Sequence, residues 1–306
     1  MRRQTVMPAA VSLLALALLG CSQSGNPGSA GRTTATPSGR GSPTDASATA
    51  PVVAGDYARA AFTAGSAHID NRWMGYRVGR QWEMRGSALD GEQTIQRRVV
   101  ATVTDLTKRV DGVRTAVLYE EDFDDGALVE AEISFYAQDA TGNVWHMGEY
   151  PEEYENGRFV GAPTWIAGQA GATAGVMMRA EPRAGTAPYA EGYAPAPVNW
   201  DDHAKVLRTG ERVCVSTGCY HKVTEIAEFE PDVPRAFQNK FYAPGVGNVA
   251  VGWSGANEDD HETLHLVRLR HLSAAQQAQI RHRALVLQAS AYRHSPGVYG
   301  RTAPAR

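Results

Sequence analysis

The sequence predicts a mainly β protein, an antiparallel sheet followed by one C-terminal α-helix. The first observation is an alternation of apolar and polar residues, clearest over residues 129–138, where Val129, Ala131, Ile133 and Phe135 alternate with polar neighbours. A period of two is typical of a half-buried strand, because successive side chains point to opposite faces of a sheet. The second observation is a series of turn dipeptides between such runs, which predicts a meander of hairpins.

The predicted strands and turns follow one another along most of the chain. The strand candidates are residues 95–104, 129–138, 144–150, 205–214, 222–229, 239–243 and 249–253. The turn candidates are Asp111-Gly112, Asp125-Gly126, Asn156-Gly157 and Thr209-Gly210. A passage rich in Pro and Gly over residues 181–197 predicts a long loop between the two halves of the meander.

The helix is predicted near the C-terminus. Ser273 is a good N-cap because its side chain can accept a hydrogen bond from a free backbone N–H of the first turn. Ile280, Ala284, Leu287 and Ala291 then fall on one stripe of a helix. We expect this helix to pack on a face of the sheet or to cover its open end.

The N-terminus has the pattern of a secretory signal peptide. Arg2 and Arg3 precede an apolar stretch over residues 6–19, and Gly20-Cys21 follows. The stretch is shorter than the roughly 20 residues of a membrane-spanning helix. Its end resembles the lipobox of bacterial lipoproteins. This resemblance implies cleavage before Cys21, diacylglycerol on its sulfur, and attachment by acyl chains to the outer side of the cell membrane. An uncleaved anchor helix is the alternative.

The chain divides into four predicted segments: a signal peptide (1–20), a flexible tether (21–54), one β-rich domain (55–294) and a C-terminal tail (295–306). The tether consists mostly of Ser, Gly, Thr, Pro and Ala, which cannot bury enough apolar surface to fold. The full chain has 30 Lys and Arg against 33 Asp and Glu. Removing residues 1–20 takes away Arg2 and Arg3 and leaves 28 against 33, a formal net charge of −5.

Two cysteines remain beyond Cys21. Cys214 and Cys219 are separated by four residues, and in an exported protein two neighbouring thiols oxidise to a disulfide. A disulfide that closes so small a loop would stabilise a turn. A metal site or a redox pair is the alternative, although only His221 lies near as a further ligand.

The string His261-Glu262-Thr263-Leu264-His265 matches the zinc-binding pattern H-E-x-x-H, and His271 stands where metzincin proteases have a third histidine. On a helix the first two histidines lie only ~6 Å apart along one face and can share a zinc ion, with Glu262 as the base. On a strand they lie ~13 Å apart. The apolar residues here form no helical stripe, and Arg268 replaces the glycine of the metzincin pattern. We therefore predict a final strand and keep the zinc site as the alternative.

Two acidic stretches offer further hypotheses. The run from Glu120 to Gly126 has oxygen ligands at alternate positions, as calcium prefers, although its spacing does not match a calcium-binding loop. A second cluster contains Glu149, Glu152, Glu153 and Glu155 around two tyrosines, and paired carboxyl groups can perform acid–base chemistry on a sugar. A solvated hairpin tip is the alternative for the first, and the sequence does not place the carboxyl groups of the second at the separation that such chemistry needs.

Two further segments resemble exported bacterial β proteins. Residues 71–82, with Met74-Gly75-Tyr76 in place of F-P-L, are similar to an F-P-L-x-x-G-x-x-W opening motif, and residues 242–249 are similar to a Y-A-x-G-V-G-x-V closing turn. The chain between them resembles a family of actinobacterial lipoproteins without an established activity. The general shape is similar to that of bacterial lipoprotein carriers. The resemblance implies a mainly β fold with a curved antiparallel sheet or half-barrel and a C-terminal α-helix.

The sequence favours binding over catalysis. It has no G-x-S-x-G motif and no phosphate-binding glycine loop, and we expect no cofactor. Because the chain is acidic and lacks a basic run, we expect no nucleic-acid partner. We expect a membrane-anchored lipoprotein that binds an apolar ligand in a groove of its sheet, or binds an envelope protein. The alternatives are a zinc hydrolase using His261, Glu262, His265 and His271, and a structural envelope protein.

Overall fold

The structure, a computed structural model, describes Tyr57 and residues 60–306. The predicted signal peptide, Cys21, the whole tether (21–54) and the predicted domain start at residue 55 lie outside these residues. Fifteen strands of the described region form one antiparallel sheet that does not close, and a single long helix follows the last strand. The predicted mainly β class, with a C-terminal α-helix, is confirmed. No helix of the described residues is both long and apolar enough to cross a membrane.

The elements are as follows. The strands are β1 (Arg80–Asp90), β2 (Gln93–Val110), β3 (Val113–Asp124), β4 (Ala127–Gln138), β5 (Val144–Glu155), β6 (Arg158–Gly161), β7 (Trp165–Ile166), β8 (Thr173–Met178), β9 (Tyr189–Ala190), β10 (Gly192–Tyr193), β11 (His203–Val215), β12 (Gly218–Phe229), β13 (Phe237–Ala243), β14 (Gly247–Ser254) and β15 (Thr263–His271). Helix α1 (Ala274–His294) and a short 3-10 helix (Tyr299–Arg301) complete the described chain.

Two meanders share the sheet. Strands β1 to β5 pair in sequence order, strands β11 to β15 do the same, and β1 pairs with β15 to join the two halves. The sheet ends at β10 on one edge and at β9 on the other. These two edge strands are separated in sequence only by Glu191, so the chain passes directly from one edge of the sheet to the other. The sheet therefore curls until its edges approach each other around Glu191, although it stays open.

The passage over residues 181–197 is thus more than the predicted loop. It supplies β9, which pairs with β11, and β10, which pairs with β8. Strands of two residues give no period-two signal, so only their tertiary pairing partners define them.

Three of the four predicted turns are confirmed. Asp111-Gly112, Asp125-Gly126 and Asn156-Gly157 join β2 to β3, β3 to β4 and β5 to β6, and all six residues have positive φ angles. Such backbone is what two-residue hairpin turns require. The prediction for Thr209-Gly210 is wrong, because both residues lie inside β11, where the register with β12 shifts and Gly210 has a φ of 84°. The glycine marks a β-bulge, which interrupts the pairing without reversing the chain.

Helix α1 packs on the outer, convex face of the sheet, against β2 and β4. Ser273 caps it in a capping box, since the Ser273 hydroxyl accepts from the Gln276 N–H and the Gln276 side chain accepts from the Ser273 N–H. Ile133 and Phe135 of β4 lie on this outer face and are fully buried. The polar residues of β4 face the inside of the curl, so the sheet buries both faces of a strand that the sequence predicts to be half-buried.

The predicted tail, residues 295–306, packs onto the domain. Tyr299 is fully buried, with its ring centroid 6.2 Å from that of Phe135. The backbone N–H of Arg306 donates to the Thr107 carbonyl at 3.0 Å, and the Thr107 N–H donates to the Arg306 carbonyl at 3.1 Å. The chain end therefore belongs to the packing around α1 and β2.

Candidate ligand-binding cavity

A cavity of about 190 Å³ lies inside the curl of the sheet. Strands β1 to β5, β8 and β12 to β15 contribute to its wall, together with the segments around Glu191, Trp200 and Glu258. Its residues are brought together from nearly the whole described chain. Because side chains alternate between the two faces of each strand, the lining residues of a strand are alternate ones, as with Arg97, Val99 and Ala101 of β2.

Acidic and aromatic side chains dominate the lining. The acidic residues are Glu120, Asp122, Glu132, Glu149, Glu191, Asp202, Glu228, Glu258, Asp260 and Glu262. The aromatic residues are Tyr76, Trp82, Tyr136, Trp200, Phe229, Tyr242 and Trp253. Arg97 and Lys240 are the basic residues of the lining, and His146 also contributes.

Four carboxyl groups face one another across β3 and β4, and we call them the carboxyl quartet: Glu120, Asp122, Glu130 and Glu132. Glu120 pairs directly with Glu132, and Asp122 pairs directly with Glu130. Side chains directly opposite each other in an antiparallel pair have Cβ atoms about 5 Å apart, and like charges there are destabilising. The two pairs therefore need protons or a positive partner.

Burial and mutual repulsion raise the pKa of each member of the quartet. Burial raises the pKa of Glu120 to about 7. Burial, followed by the charge of Glu120, raises that of Glu132 to about 8. Burial and neighbouring acidic groups hold the pKa of Asp122 and that of Glu130 well above their usual range. At neutral pH the quartet consequently retains protons that a solvated carboxyl group would release.

Both basic residues of the lining already have acidic partners. The Lys240 Nζ lies 2.5 Å from Glu228 Oε2, and both side chains are buried. The Arg97 guanidinium contacts Asp124 with Nε at 3.0 Å and contacts Glu262 with Nη1 at 3.1 Å. Most of the remaining carboxyl groups of the cavity therefore have no basic residue of their own.

Besides Glu228, which forms a salt bridge with Lys240, three lining carboxyl groups have a buried oxygen atom without a hydrogen-bond partner among the described residues: Asp122 Oδ1, Glu191 Oε1 and Glu258 Oε2. The three side chains come from β3, from the junction of β9 and β10, and from the loop between β14 and β15. Buried polar atoms of folded proteins are nearly always paired with protein or water. These three are acceptor positions for whatever occupies the cavity.

The aromatic residues form connected walls. The Tyr136 ring stacks on His146 with centroids 4.9 Å apart, and it meets Tyr76 edge to face at 5.2 Å. Burial, followed by the charge of Lys240, lowers the pKa of His146 to about 3, so this imidazole is neutral. Trp253 is 40% exposed and therefore lies at the rim, where it stacks on His261 with centroids 3.7 Å apart.

The two motif segments found in the sequence close one end of the cavity by packing against each other. The Trp82 Nε1–H donates to the Val246 carbonyl at 2.8 Å, and the Gly245 N–H donates to the Arg72 carbonyl at 2.6 Å. A Cβ atom on Gly75 would lie 2.5 Å from the Val246 oxygen, so glycine is required there by close approach of the two backbones. Met74, Tyr76 and Tyr242 of these segments line the cavity.

The arrangement required by the zinc alternative is not formed by the described residues. Thr263–His271 is strand β15, as the sequence favoured, and His261 precedes it in the loop. The side chain of Glu262 binds Arg97 and accepts from the Gln238 amide at 2.7 Å, whereas His265 and His271 are exposed. His271 lies six positions after His265 on the strand, a distance of ~20 Å. Among the described residues, no three His, Cys, Asp or Glu are grouped as metal ligands.

The sheet also divides both acidic clusters between its two faces. Glu120 and Asp122 face the cavity, whereas Glu121 lies outside and contacts Arg283 of α1 at 3.1 Å. Similarly, Glu149 lines the cavity, whereas Glu152 accepts a hydrogen bond from Tyr150 and lies 3.2 Å from His294 on the outer side. Residues adjacent in sequence are therefore not adjacent in one site.

The predicted disulfide is present. Cys214 and Cys219 are directly paired between β11 and β12 and bonded to each other. The turn that they enclose docks on β15, because the hydroxyl groups of Ser216 and Thr217 donate to the Leu266 carbonyl at 3.2 and 3.3 Å. Neither cysteine lines the cavity, so the disulfide supports the sheet at a distance from the candidate site.

Sequence reasoning missed most of the cavity. Among the missed residues are Glu191, Asp202, Glu228, Lys240, Glu258 and Asp260, which stand far apart in sequence and belong to no motif. The available signal was weak: acidic residues at alternate positions of strands that are otherwise apolar. This pattern normally indicates a solvent-exposed face.

Comparison with known proteins finds similarity only to solved structures. No protein-family model matches it, and no curated protein sequence matches it. Among solved structures, a candidate exported protein of Bacteroides fragilis with a YmcC-like fold is similar, with 13% sequence identity and a TM-score of 0.40 over 65% of this chain and 99% of that chain. A candidate lipoprotein of Parabacteroides distasonis is similar over the same shares, with 14% identity and a TM-score of 0.31. What the cavity binds is argued below from its own residues.

Proposed function

We propose that this protein is an exported lipoprotein, anchored through Cys21, that holds a small organic molecule in the cavity of its sheet without transforming it. The observation that supports binding is the cavity itself. Protein interiors are close-packed, with few voids larger than one water molecule, which needs about 10–15 Å³. A space of about 190 Å³ exceeds such voids many times over, and aromatic walls with a few unpaired polar atoms are the lining that small-molecule sites have.

The lining favours a polar ligand over the apolar ligand expected from sequence. An apolar molecule would displace water from Asp122, Glu191 and Glu258 and leave their free oxygens unpaired. Each buried polar group without a partner costs about 1–3 kcal/mol. A ligand with hydrogen-bond donors avoids this cost, and its apolar parts can lie against the aromatic rings.

The membrane anchor is tested by replacing the lipidated sulfur. We expect Cys21→Ser to release the protein from the membrane fraction and to abolish labelling by an alkynyl fatty acid, because serine has no thiol for the diacylglycerol. Ser22→Ala is the matched control and should leave both unchanged. A Cys21→Ser protein that stays in the membrane fraction as the wild type does would reject the lipid anchor.

The cavity is tested by filling it. Ala101 lines the cavity, and Ala101→Phe should occupy part of its volume, whereas Val286→Phe adds the same ring on the exposed side of α1. Thermal shift is measured with spermidine, citrate, maltose and decanoate as cationic, anionic, neutral and apolar probes. At least one probe should raise the melting temperature of the wild type and of Val286→Phe, but not that of Ala101→Phe. If no probe stabilises the wild type, the binding function is rejected.

A further inference from the structure

The cavity concentrates negative charge. Ten carboxyl groups line it against two basic residues, a formal charge of −8 if every group is ionised. Both basic residues are already paired with acidic partners. Two carboxylates 5 Å apart repel by about 3 kcal/mol at an effective dielectric constant of 20. Either protons or a positive ligand must neutralise this charge. We infer that the ligand is an organic cation, a small molecule with ammonium groups; this inference rests on the proposed binding function.

The carboxyl quartet shows where positive charge is needed most. Its two pairs, Glu120 with Glu132 and Asp122 with Glu130, lie two residues apart on the same face of β3 and β4. The tight turn at Asp125-Gly126 sets the register of these strands, so the pairs cannot separate without unfolding the hairpin. An ammonium group between the two pairs would replace carboxylate repulsion by attraction.

The free acceptor atoms point to the same ligand independently. Asp122 Oδ1, Glu191 Oε1 and Glu258 Oε2 belong to side chains at least nine-tenths buried, and they reach the cavity from three separate elements. An ionised carboxylate can only accept hydrogen bonds. A ligand that binds the ionised form must therefore donate these hydrogen bonds, and charged N–H donors form the strongest such bonds.

The aromatic walls favour an organic cation over a metal ion. Rings cannot coordinate calcium or zinc, but the faces of Trp and Tyr attract an ammonium group, with about 0.5–2 kcal/mol for each contact. Trp82, Tyr76 and Tyr242 line the cavity beside the acidic groups. A metal ion would need several oxygen ligands at one point, and the described residues contain no group of three. Carboxylates together with rings match an amine with a hydrocarbon skeleton.

Such a ligand competes with protons. Charged or titratable groups from the surrounding elements face the quartet. They are Arg97 on β2, Tyr136 on β4, His146, Glu149 and Glu153 on β5, Glu191 between β9 and β10, Asp202 before β11, Glu228 on β12, Lys240 and Tyr242 on β13, Glu258, Asp260 and Glu262 before β15, and Tyr76 before β1. Lys240 contributes the nearby positive charge that already favours ionisation of Glu120. Because a cation binds the ionised form of the quartet, binding should release protons and should strengthen as the pH rises from 6 to 8.

The experiment measures binding of two organic cations by titration calorimetry at pH 6, 7 and 8: spermidine, which has N–H donors, and tetramethylammonium, which has the positive charge without them. We expect at least one to bind, with an affinity at least tenfold higher at pH 8 than at pH 6. Titrations in phosphate and in Tris, whose ionisation enthalpies differ, should show the release of about one proton per ligand. Glu120→Gln/Glu132→Gln should weaken binding at pH 8 at least tenfold and remove most of its pH dependence. Glu92→Gln, in the exposed β1–β2 turn, is the control and should bind as the wild type does.

The other outcomes separate the inference from the proposed function. If maltose, citrate or decanoate binds and neither organic cation does, the cation inference is overturned and the binding function stands. Stoichiometric binding of calcium without binding of either organic cation would also overturn the cation inference. Binding of none of these probes would reject both. Circular dichroism at pH 5 establishes that the double variant folds, and Glu191→Gln, which removes one free acceptor, gives a second variant with the same expected direction.

Discussion

Replacing Glu132 with glutamine tests the electrostatics of the cavity through stability alone. Glu132 faces Glu120 across β3 and β4, and burial together with that neighbour raises its pKa from an ordinary 4.5 to about 8. Between these two values the folded protein keeps a proton that the unfolded chain releases. Wild-type stability must therefore fall as the pH rises from about 4.5 to 8, by the linkage between proton binding and folding. Glutamine has nearly the same shape and does not titrate.

The size of the effect follows from the two pKa values. Each unit of pKa difference corresponds to 1.36 kcal/mol, so between pH 5 and pH 8 wild type should lose about 3.5 kcal/mol relative to Glu132→Gln. The Glu132 side chain is only partly buried and faces the cavity, where water screens its charge. Screening reduces the expected difference to about 2 kcal/mol. His146 acts in the opposite direction, since its pKa is lowered to about 3, but it is common to both proteins and cancels in the comparison.

The assay is urea unfolding of both proteins at pH 5, 6, 7 and 8. At pH 5 the two free energies of unfolding should agree to within about 1 kcal/mol, because protonated glutamate and glutamine make similar contacts. At pH 8 the variant should be the more stable protein. Glu92→Gln, which changes an exposed glutamate, should run parallel to wild type at every pH. Parallel curves for Glu132→Gln and wild type would refute the raised pKa, and so would a wild type that gains stability relative to the variant.

Three further predictions concern the frame around the cavity. Replacing Cys214 and Cys219 together by alanine should lower the free energy of unfolding by about 2 kcal/mol, as expected for a disulfide that closes a short loop. An unchanged urea unfolding curve would show that the disulfide does not stabilise the fold. Ser273→Ala should lower the free energy of unfolding by about 1 kcal/mol, because α1 loses its N-cap, whereas Ser273→Asp should retain most of this stabilisation. Equal losses of stability in the two variants would contradict the capping role. Lys108 is buried with its Nζ 4.1 Å from the centre of the Tyr299 ring, and burial lowers its pKa to about 7. Because the unfolded chain keeps the proton of this lysine to a higher pH, the free energy of unfolding of the wild type should rise between pH 7 and 10 by about 2–3.5 kcal/mol relative to Lys108→Met. Parallel pH profiles of stability in the two proteins would exclude the lowered pKa of Lys108.

The architecture was largely predictable because its signals are local. Period-two alternation identified β4 and much of the two meanders, and Asp-Gly or Asn-Gly pairs identified three of the hairpin turns. The cap at Ser273 and the stripe through Leu287 identified α1. Each of these signals depends only on residues that are near one another in the chain, and the sequence alone therefore predicts the corresponding element. The prediction of a turn at Thr209-Gly210 is wrong because a glycine with positive φ occurs both in turns and in β-bulges. Only the pairing of β11 with β12 shows that this glycine lies in a bulge.

The H-E-x-x-H string shows the limit of a motif without its local structure. The same five residues bind a metal ion on a helix and cannot share one on a strand. The lack of a helical stripe favoured the strand, and β15 confirms it. Glu262, just before β15, binds Arg97 of β2 rather than a metal-bound water.

By itself, the sequence determined the strands, most turns, the helix and the partners in the disulfide, because neighbouring residues along the chain decide each of them. It also predicts an exported, lipid-anchored protein from the residues around Cys21. Only the tertiary structure decided which face of the sheet is inside. The pattern of β4 shows one apolar and one acidic face, and an acidic face ordinarily meets solvent. Here α1 and the chain end cover the apolar face, and the sheet curls until its edges approach at Glu191. That closure of distant strands encloses the acidic residues, raises their pKa values and makes a cavity that no local pattern contains.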